Sequence, residues 1–199
     1  MKTIHYYFDF ISPYSYLSNF RLPDLAAQYG YEIVYHPIDL KAAKLAAGND
    51  GPATAQMPKK MRYAFADLMR WAKKYNAPLA MVAEGGIPDP TKANIGTFYA
   101  IDRNQAGAYV TEMWRATFGS GARMDSPEAL AQVATTMGWD AQEFLQFIES
   151  DEAAQRYAQE NQVAQDSGVF GAPIMVVGEE MWWGNDRLDL MEEHLAELG

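Results

Sequence analysis

The chain predicts an α/β fold in which a βαβ unit and a ββα unit flank a long all-helical stretch. Three observations predict it. Strand texture is confined to the two ends of the 199-residue chain. Residues 40–168 carry helix signals almost throughout. A proline, Pro173, stands at the very start of the third strand and follows a glycine turn.

Residues 3–10 and 31–38 read as strands, because the aromatic and β-branched Tyr31, Ile33, Val34 and Tyr35 suit a pleated surface. One helix of roughly four turns is expected between them. Ser12 serves as its N-cap, Pro13 takes the first helical position and Gly30 stops it. This is a βαβ unit. Beyond Asp39, Met61, Phe65, Leu68, Met69 and Ala72 fall at helical spacing. The methionines Met57, Met61, Met69 and Met81 read as core filler. Ser126-Pro127 opens a further helix that Gly138 closes, and Asp140 with Glu143 reads as a capping box. Ser150 begins a long helix ending at Gly168. Four to six helices are expected in this stretch. Strand texture returns at Ile174–Val177, turns at Gly178-Glu179 and comes back as an antiparallel Glu180–Trp183. A last helix from Asn185-Asp186 carries Leu188, Met191, Leu195 and Leu198 on one face. The order βαβ, helices, ββα is that of a thioredoxin-like fold, with residues 1–39 and 169–199 forming it and residues 40–168 inserted.

Composition narrows the function. At 49% hydrophobic and 21% charged residues, the chain suits a soluble globular protein. A net charge of −10 argues against nucleic acid and against anionic membranes. No apolar run approaches the roughly 20 residues that span a bilayer, and the N-terminus lacks a signal-peptide pattern. The chain has no cysteine, which removes disulfide exchange and thiolate metal sites and is compatible with the cytosol. The three histidines, His5, His36 and His194, show no metal-ligand spacing.

Ser12-Pro13-Tyr14-Ser15 therefore stands where a thioredoxin-type protein carries its Cys-x-x-Cys. Ser12 has two readings: a helix cap, or a hydroxyl donor to a thiolate supplied by another molecule. A free thiol has a pKa near 8.5, and lowering it by about two units needs roughly 2.7 kcal/mol. One hydrogen bond to a charged group gives about 1.5–3 kcal/mol and a helix N-terminus about 0.3–1. Ser12 as the nucleophile itself is disfavoured, since no base is evident in the segment. The tripeptide glutathione is the obvious source of the sulfur. Phe170-Gly171-Ala172-Pro173 also has two readings, a trans proline at a strand entrance or a cis proline. The cis form would turn the Ala172 backbone outward, where it pairs with an extended peptide such as glutathione. Trp182-Trp183 reads as core or interface. Asn185 or Asp186 reads as a helix cap; alternatively Asp186 takes the ammonium, and the free N–H groups at the helix start take the carboxylate, of a γ-glutamyl group. Lys44 reads as a solvated lysine or as a carboxylate ligand. An acidic chain that takes an anionic substrate needs local cations, and Lys44, Lys59, Lys60 and Arg62 are available.

Three stretches together, Asp9-Phe10-Ile11-Ser12-Pro13-Tyr14-Ser15-Tyr16-Leu17, Phe170-Gly171-Ala172-Pro173 and Trp183-Gly184-Asn185-Asp186-Arg187, resemble the 2-hydroxychromene-2-carboxylate isomerases. That family is related to kappa-class glutathione transferases and to DsbA. The resemblance covers essentially the whole chain, including Ile38-Asp39-Leu40 and Gly48-Asn49-Asp50-Gly51-Pro52. It implies a glutathione-dependent isomerase, typically dimeric and cytoplasmic, in bacterial degradation of naphthalene-type aromatics. The substrate it implies is a small aromatic carboxylate. It implies Ser12 as the catalytic group at the glutathione sulfur. Val169, Ala172, Pro173, Asn185 and Asp186 are implied as further glutathione contacts, and Lys44, Thr54 and Asn94 as substrate contacts. Ala53-Thr54-Ala55 replaces polar residues of the family pattern, and Ala83-Glu84-Gly85-Gly86-Ile87 lacks a rim aromatic. Both departures fall on the substrate side. A kappa-like transferase that releases a conjugate is the alternative enzyme, and a non-catalytic thioredoxin-fold binding domain is the alternative outside enzymes.

Overall fold

The structure, a computed structural model, describes residues 2–52, 54–80 and 86–198. Ala53, the Ala55 side chain and residues 81–85, which include Met81 and most of the two departures from the family pattern, lie outside the described residues. The first unit runs β1 (Thr3–Phe8), α1 (Pro13–Ser18), α2 (Leu22–Tyr29) and β2 (Glu32–Pro37). Then follow α3 (Leu40–Ala46), α4 (Pro58–Tyr75), α5 (Thr91–Ile101), α6 (Ala106–Trp114), α7 (Pro127–Thr136), α8 (Ala141–Ile148) and α9 (Asp151–Asp166). The chain ends with β3 (Ile174–Val177), β4 (Glu180–Trp183) and α10 (Leu188–Leu198).

The sheet order is β2-β1-β3-β4. β1 pairs parallel with β2, and the other two pairings are antiparallel. Side chains alternate across β1. Ile4, Tyr6 and Phe8 enter the main core, where Phe8 and Phe10 meet Trp114 edge-on at 5.5 and 5.2 Å. Tyr7 faces the other way, into a smaller cluster with Ile38, Ala43, Ala164, Val169 and Ile174 under α3 and α9. On that side His36 stacks on Tyr7, meets His5 through a 2.9 Å Nδ1–Nε2 contact, and bonds Glu160 of α9 at 2.5 Å.

Several expectations are revised. The helix after Ser12 is two helices, interrupted at residues 19–21. Pro23, at the second position of α2, has no N–H for a continuous helix and its ring would clash with the carbonyl four residues back. Seven α-helices, not four to six, lie between residues 40 and 168 among the described residues; α3 and α8, at 7 and 8 residues, span only about two turns each. Asp140 accepts the N–H groups of Gln142 and Glu143, but the Glu143 carboxylate bonds Tyr99 and Arg103, so the box is not reciprocal. The apolar stripe of α4 is the largest revision. Met61, Phe65 and Met69 are exposed, with Phe65 at 49%, while Ala72 and the flank of Leu68 and Trp71 face the core.

Candidate active site

Three chain segments meet at one end of the sheet because of strand direction. β1 ends at Phe8, and Asp9–Ser12 leave from there. β3 runs antiparallel with Ile174 opposite Tyr7, so Ala172-Pro173 enter at the same end. Trp183 lies opposite Ile174, which brings Gly184-Asn185 back to it. The amide of Gly184 donates to the Pro173 carbonyl at 2.9 Å, and α1 packs against the 3-10 turn Asn185–Arg187.

Ser12 is buried, at 3% exposure. Its Oγ accepts the Ser15 N–H at 3.2 Å, the geometry of an N-cap. Its own proton points toward the Ala172 carbonyl across 3.4 Å, a distance at which a hydrogen bond is weak. The hydroxyl thus has a firm acceptor role and a loosely held proton. The Ala172-Pro173 bond is cis. Ala172 is half-buried between Ser12 and the strand. Gly171 beside it allows a close approach: a Cβ there would stand 2.9 Å from the Trp183 Nε1, so the indole or the loop would have to shift. Trp183 and Phe170, edge to face at 5.2 Å, form an exposed aromatic rim next to this loop.

Asn185 is buried at 2% exposure, and its Nδ2 has no hydrogen-bond partner. A buried amide nitrogen without an acceptor costs about 1–3 kcal/mol, so a ligand oxygen there would relieve it. This orphan donor, beside Ser12's loose proton, fits a peptide-like ligand with carboxylate and carbonyl oxygens. Asp186 is exposed and pairs with Arg187 at 2.7 Å. The Val169 side chain is buried in the smaller cluster, which leaves only its backbone for a ligand.

The substrate-side expectations fare differently. Lys44 lies exposed in the last turn of α3, and no ion pair to it occurs among the described residues. Thr54 starts a short 3-10 turn that packs on α4. Asn94 is corrected: it is fully buried, and its side chain is consumed internally. Its Oδ1 accepts the Phe10 N–H at 3.1 Å, and its Nδ2 lies 2.9–3.2 Å from Asp9 Oδ1, the Ile38 carbonyl and the Tyr157 hydroxyl. It braces the Ser12 turn and cannot touch a substrate.

Two groups escaped the sequence reading. Asp9 is 1% exposed, and burial pushes its carboxyl up to about 6 against the pull of its N–H donors. A charged residue at the end of an apolar strand was the available signal. Tyr14, next to Ser12, donates to Asp67 of α4 at 3.2 Å, and burial followed by that carboxylate pushes its phenol up to about 12. Among the described residues no cluster of His, Asp and Glu is placed to hold a metal, and no helix is long and apolar enough to cross a membrane.

Residues 3–196 match the DSBA-like thioredoxin domain. A 2-hydroxychromene-2-carboxylate isomerase of Pseudomonas sp. (strain C18) is 42% identical over 189 residues, 95% of this chain and 88% of the relative. A solved structure of 2-hydroxychromene-2-carboxylate isomerase superposes with a TM-score of 0.92 at 41% identity, covering 98% of this chain and 95% of the other. Glutathione S-transferase kappa 1 of Caenorhabditis elegans is 26% identical over 210 residues, 99% of this chain and 92% of that protein. With a DsbA-like fold, a serine in place of the thiol and this extent of identity, the chain belongs to the 2-hydroxychromene-2-carboxylate isomerase family.

Proposed function

We propose that this chain is a glutathione-dependent isomerase that interconverts 2-hydroxychromene-2-carboxylate, or a ring-substituted analogue, and trans-o-hydroxybenzylidenepyruvate in bacterial breakdown of naphthalene-type aromatics. The single observation that carries the reading is the Ser12 hydroxyl, buried beside Ala172 with its proton held only weakly. Family membership supports the isomerase chemistry, and the kinship with a glutathione transferase supports the cofactor. The unpartnered amide of Asn185 supports a ligand rich in oxygen acceptors.

Bound at this site, glutathione would supply a reversible thiol nucleophile for the enone of the open form, with no net redox change. The chain's own residues provide the rest. Ser12 donates to the sulfur and favours its ionised form, to which one charged hydrogen bond contributes about 1.5–3 kcal/mol. The backbone of Ala172, and that of Val169, hold the cysteinyl portion in extended conformation, with Pro173 fixing the turn. Asn185 and Asp186 take the γ-glutamyl head. Lys44 holds the pyruvyl carboxylate, where its charge also favours electron density building on the enolate, and Thr54 is a second substrate contact. In this reading residues 1–39 and 169–199 form the sulfur-binding half and residues 40–168 contribute the substrate half.

We also assign the active species to a homodimer through α4. This helix carries six of the chain's 16 basic residues and one acid, on a protein of net charge −10. Its exposed Met61, Phe65 and Met69 form one stripe at i, i+4 and i+8. In a two-fold pair this exposed apolar stripe would be covered by the same stripe of the second copy, with the charged residues left at the rim.

The test is isomerisation of the chromene carboxylate with and without glutathione. The reading predicts turnover only with glutathione and release of an unconjugated isomer. Full activity without it overturns the reading. Accumulation of a stable conjugate favours the kappa-like transferase, which the sequence kinship alone supports.

A further inference from the structure

A single buried carboxylate joins the two halves of the site. Asp9 Oδ1 accepts the Ile11 N–H at 3.1 Å and an Asn94 amide proton at 2.9 Å. Its Oδ2 accepts the Leu40 N–H at 2.9 Å. Its backbone carbonyl accepts the Ser12 N–H at 2.9 Å. The N–H groups of residues 10, 11 and 12 are therefore all held by Asp9 or by its partner Asn94. Leu40 is the first residue of α3, the helix whose last turn carries Lys44. The start of α3 is fixed a second time, since the Asp39 N–H donates to Asn161 of α9 at 2.6 Å.

We propose that Asp9 is a positioning residue that sets the separation between the Ser12 turn and helix α3, and thereby between sulfur and substrate carboxylate. The proposal rests on the functional reading above. Its physical basis is the donor count. Three N–H donors converge on two oxygens at a site nearly closed to water, so only a carboxylate satisfies them all. An asparagine there would set its own NH2 against one of the backbone donors. The titratable groups that face Asp9 are Asp39 at the cap of α3 and Tyr157 of α9. Neither is a cation, so no salt bridge explains the buried charge, and hydrogen bonds to backbone and amide are its stabilisation. Displacing one half of a site by about 1 Å costs on the order of 10²-fold in rate.

Two variants separate positioning from bulk scaffolding. Asp9→Asn disturbs the whole network. Leu40→Pro removes the Leu40 N–H and exchanges one half-buried apolar side chain for another, at a first helical position where proline is well tolerated and where the preceding Asp39 is already extended, with φ −83° and ψ 101°. Each variant is assayed for melting temperature, glutathione affinity by calorimetry, ultraviolet thiolate absorbance of bound glutathione, and kcat and KM for the chromene carboxylate. Leu40→Pro is expected to keep its fold, its glutathione affinity and its thiolate signal. Its kcat/KM for the carboxylate substrate is expected to fall about 10- to 100-fold. If kcat/KM stays within about threefold of the unsubstituted protein, or if glutathione affinity falls in parallel with it, the positioning role is overturned. Glutathione-independent turnover by the unsubstituted protein would instead overturn the functional reading, so the two failures are distinguishable.

Discussion

Replacing Ser12 by alanine removes two interactions of different kinds, and the structure allows each to be estimated. The first is the cap. Ser12 Oγ accepts the Ser15 N–H at 3.2 Å, and losing such a cap costs about 0.5–2 kcal/mol. For a chain of this size each kcal/mol moves the melting temperature by about 2–4 °C. The second is the donor to bound sulfur. One hydrogen bond to a charged group is worth about 1.5–3 kcal/mol, which at 1.36 kcal/mol per unit is a pKa change of about 1–2 units. The bound thiol should then titrate about 1–2 units higher in Ser12→Ala, back near the free value of about 8.5. At neutral pH this converts a largely ionised thiol into one that is only a few per cent thiolate, and kcat should fall by about 10²–10³, as for loss of one preorganised donor. The assay is an ultraviolet pH titration of glutathione bound to each protein, with a thermal melt as control. A variant that melts a few degrees lower but titrates its bound thiol at the wild-type pKa would refute the reasoning, for Ser12 would then be a cap and nothing more.

Further outcomes follow from other parts of the molecule. Asp9 has its pKa raised to about 6 by burial, so the folded protein binds its proton more tightly than the unfolded chain does. Its contribution to stability is therefore greatest below about pH 4 and is lost as pH rises to about 6, by on the order of 3 kcal/mol. The stability difference between the unsubstituted protein and Asp9→Asn, measured by urea unfolding at pH 4 and pH 7, should shrink or change sign toward neutrality by that order, and a pH-independent difference would contradict the assignment. Phe65→Lys on the exposed stripe of α4 would bury a further cation in a dimer interface whose helix already carries six, weakening association by about 10³-fold, and sedimentation should show a monomer. An unchanged dimer would remove α4 from the interface. Gly171→Ala would place a Cβ 2.9 Å from the Trp183 indole nitrogen, so glutathione affinity should fall about tenfold by calorimetry while far-ultraviolet dichroism stays unchanged. Unaltered affinity would mean that this loop can shift without consequence for the ligand.

What the sequence made legible is what local chemistry encodes. The strand texture of β1, β3 and β4, the caps at Ser12, Ser126, Asp140 and Ser150, and the αL turn at Gly30 rest on neighbouring residues, and each forms as those residues dictate. The break at residues 19–21 was also encoded, in Pro23, but the strong start and stop signals on either side masked it. The face of α4 was not legible. Its spacing shows that Met61, Phe65 and Met69 share a side, yet periodicity alone cannot say whether that side meets the core or a partner. The candidate site divides in the same way. Ser12, Ala172 and Asn185 follow from the register of the sheet, since strand direction brings their turns to one end. Asp9 and Asn94 act through contacts across 85 positions of sequence, and no local pattern distinguishes a buried brace from a ligand contact.

The claim on which the account depends is that this cysteine-free protein acts through a borrowed sulfur beside residue 12. A crystal structure of the protein soaked with glutathione tests it most directly. The sulfur is expected in hydrogen-bond contact with Ser12 Oγ and the cysteinyl backbone paired with Ala172. Glutathione bound with its sulfur away from that hydroxyl, or no binding at this end of the sheet, would contradict it.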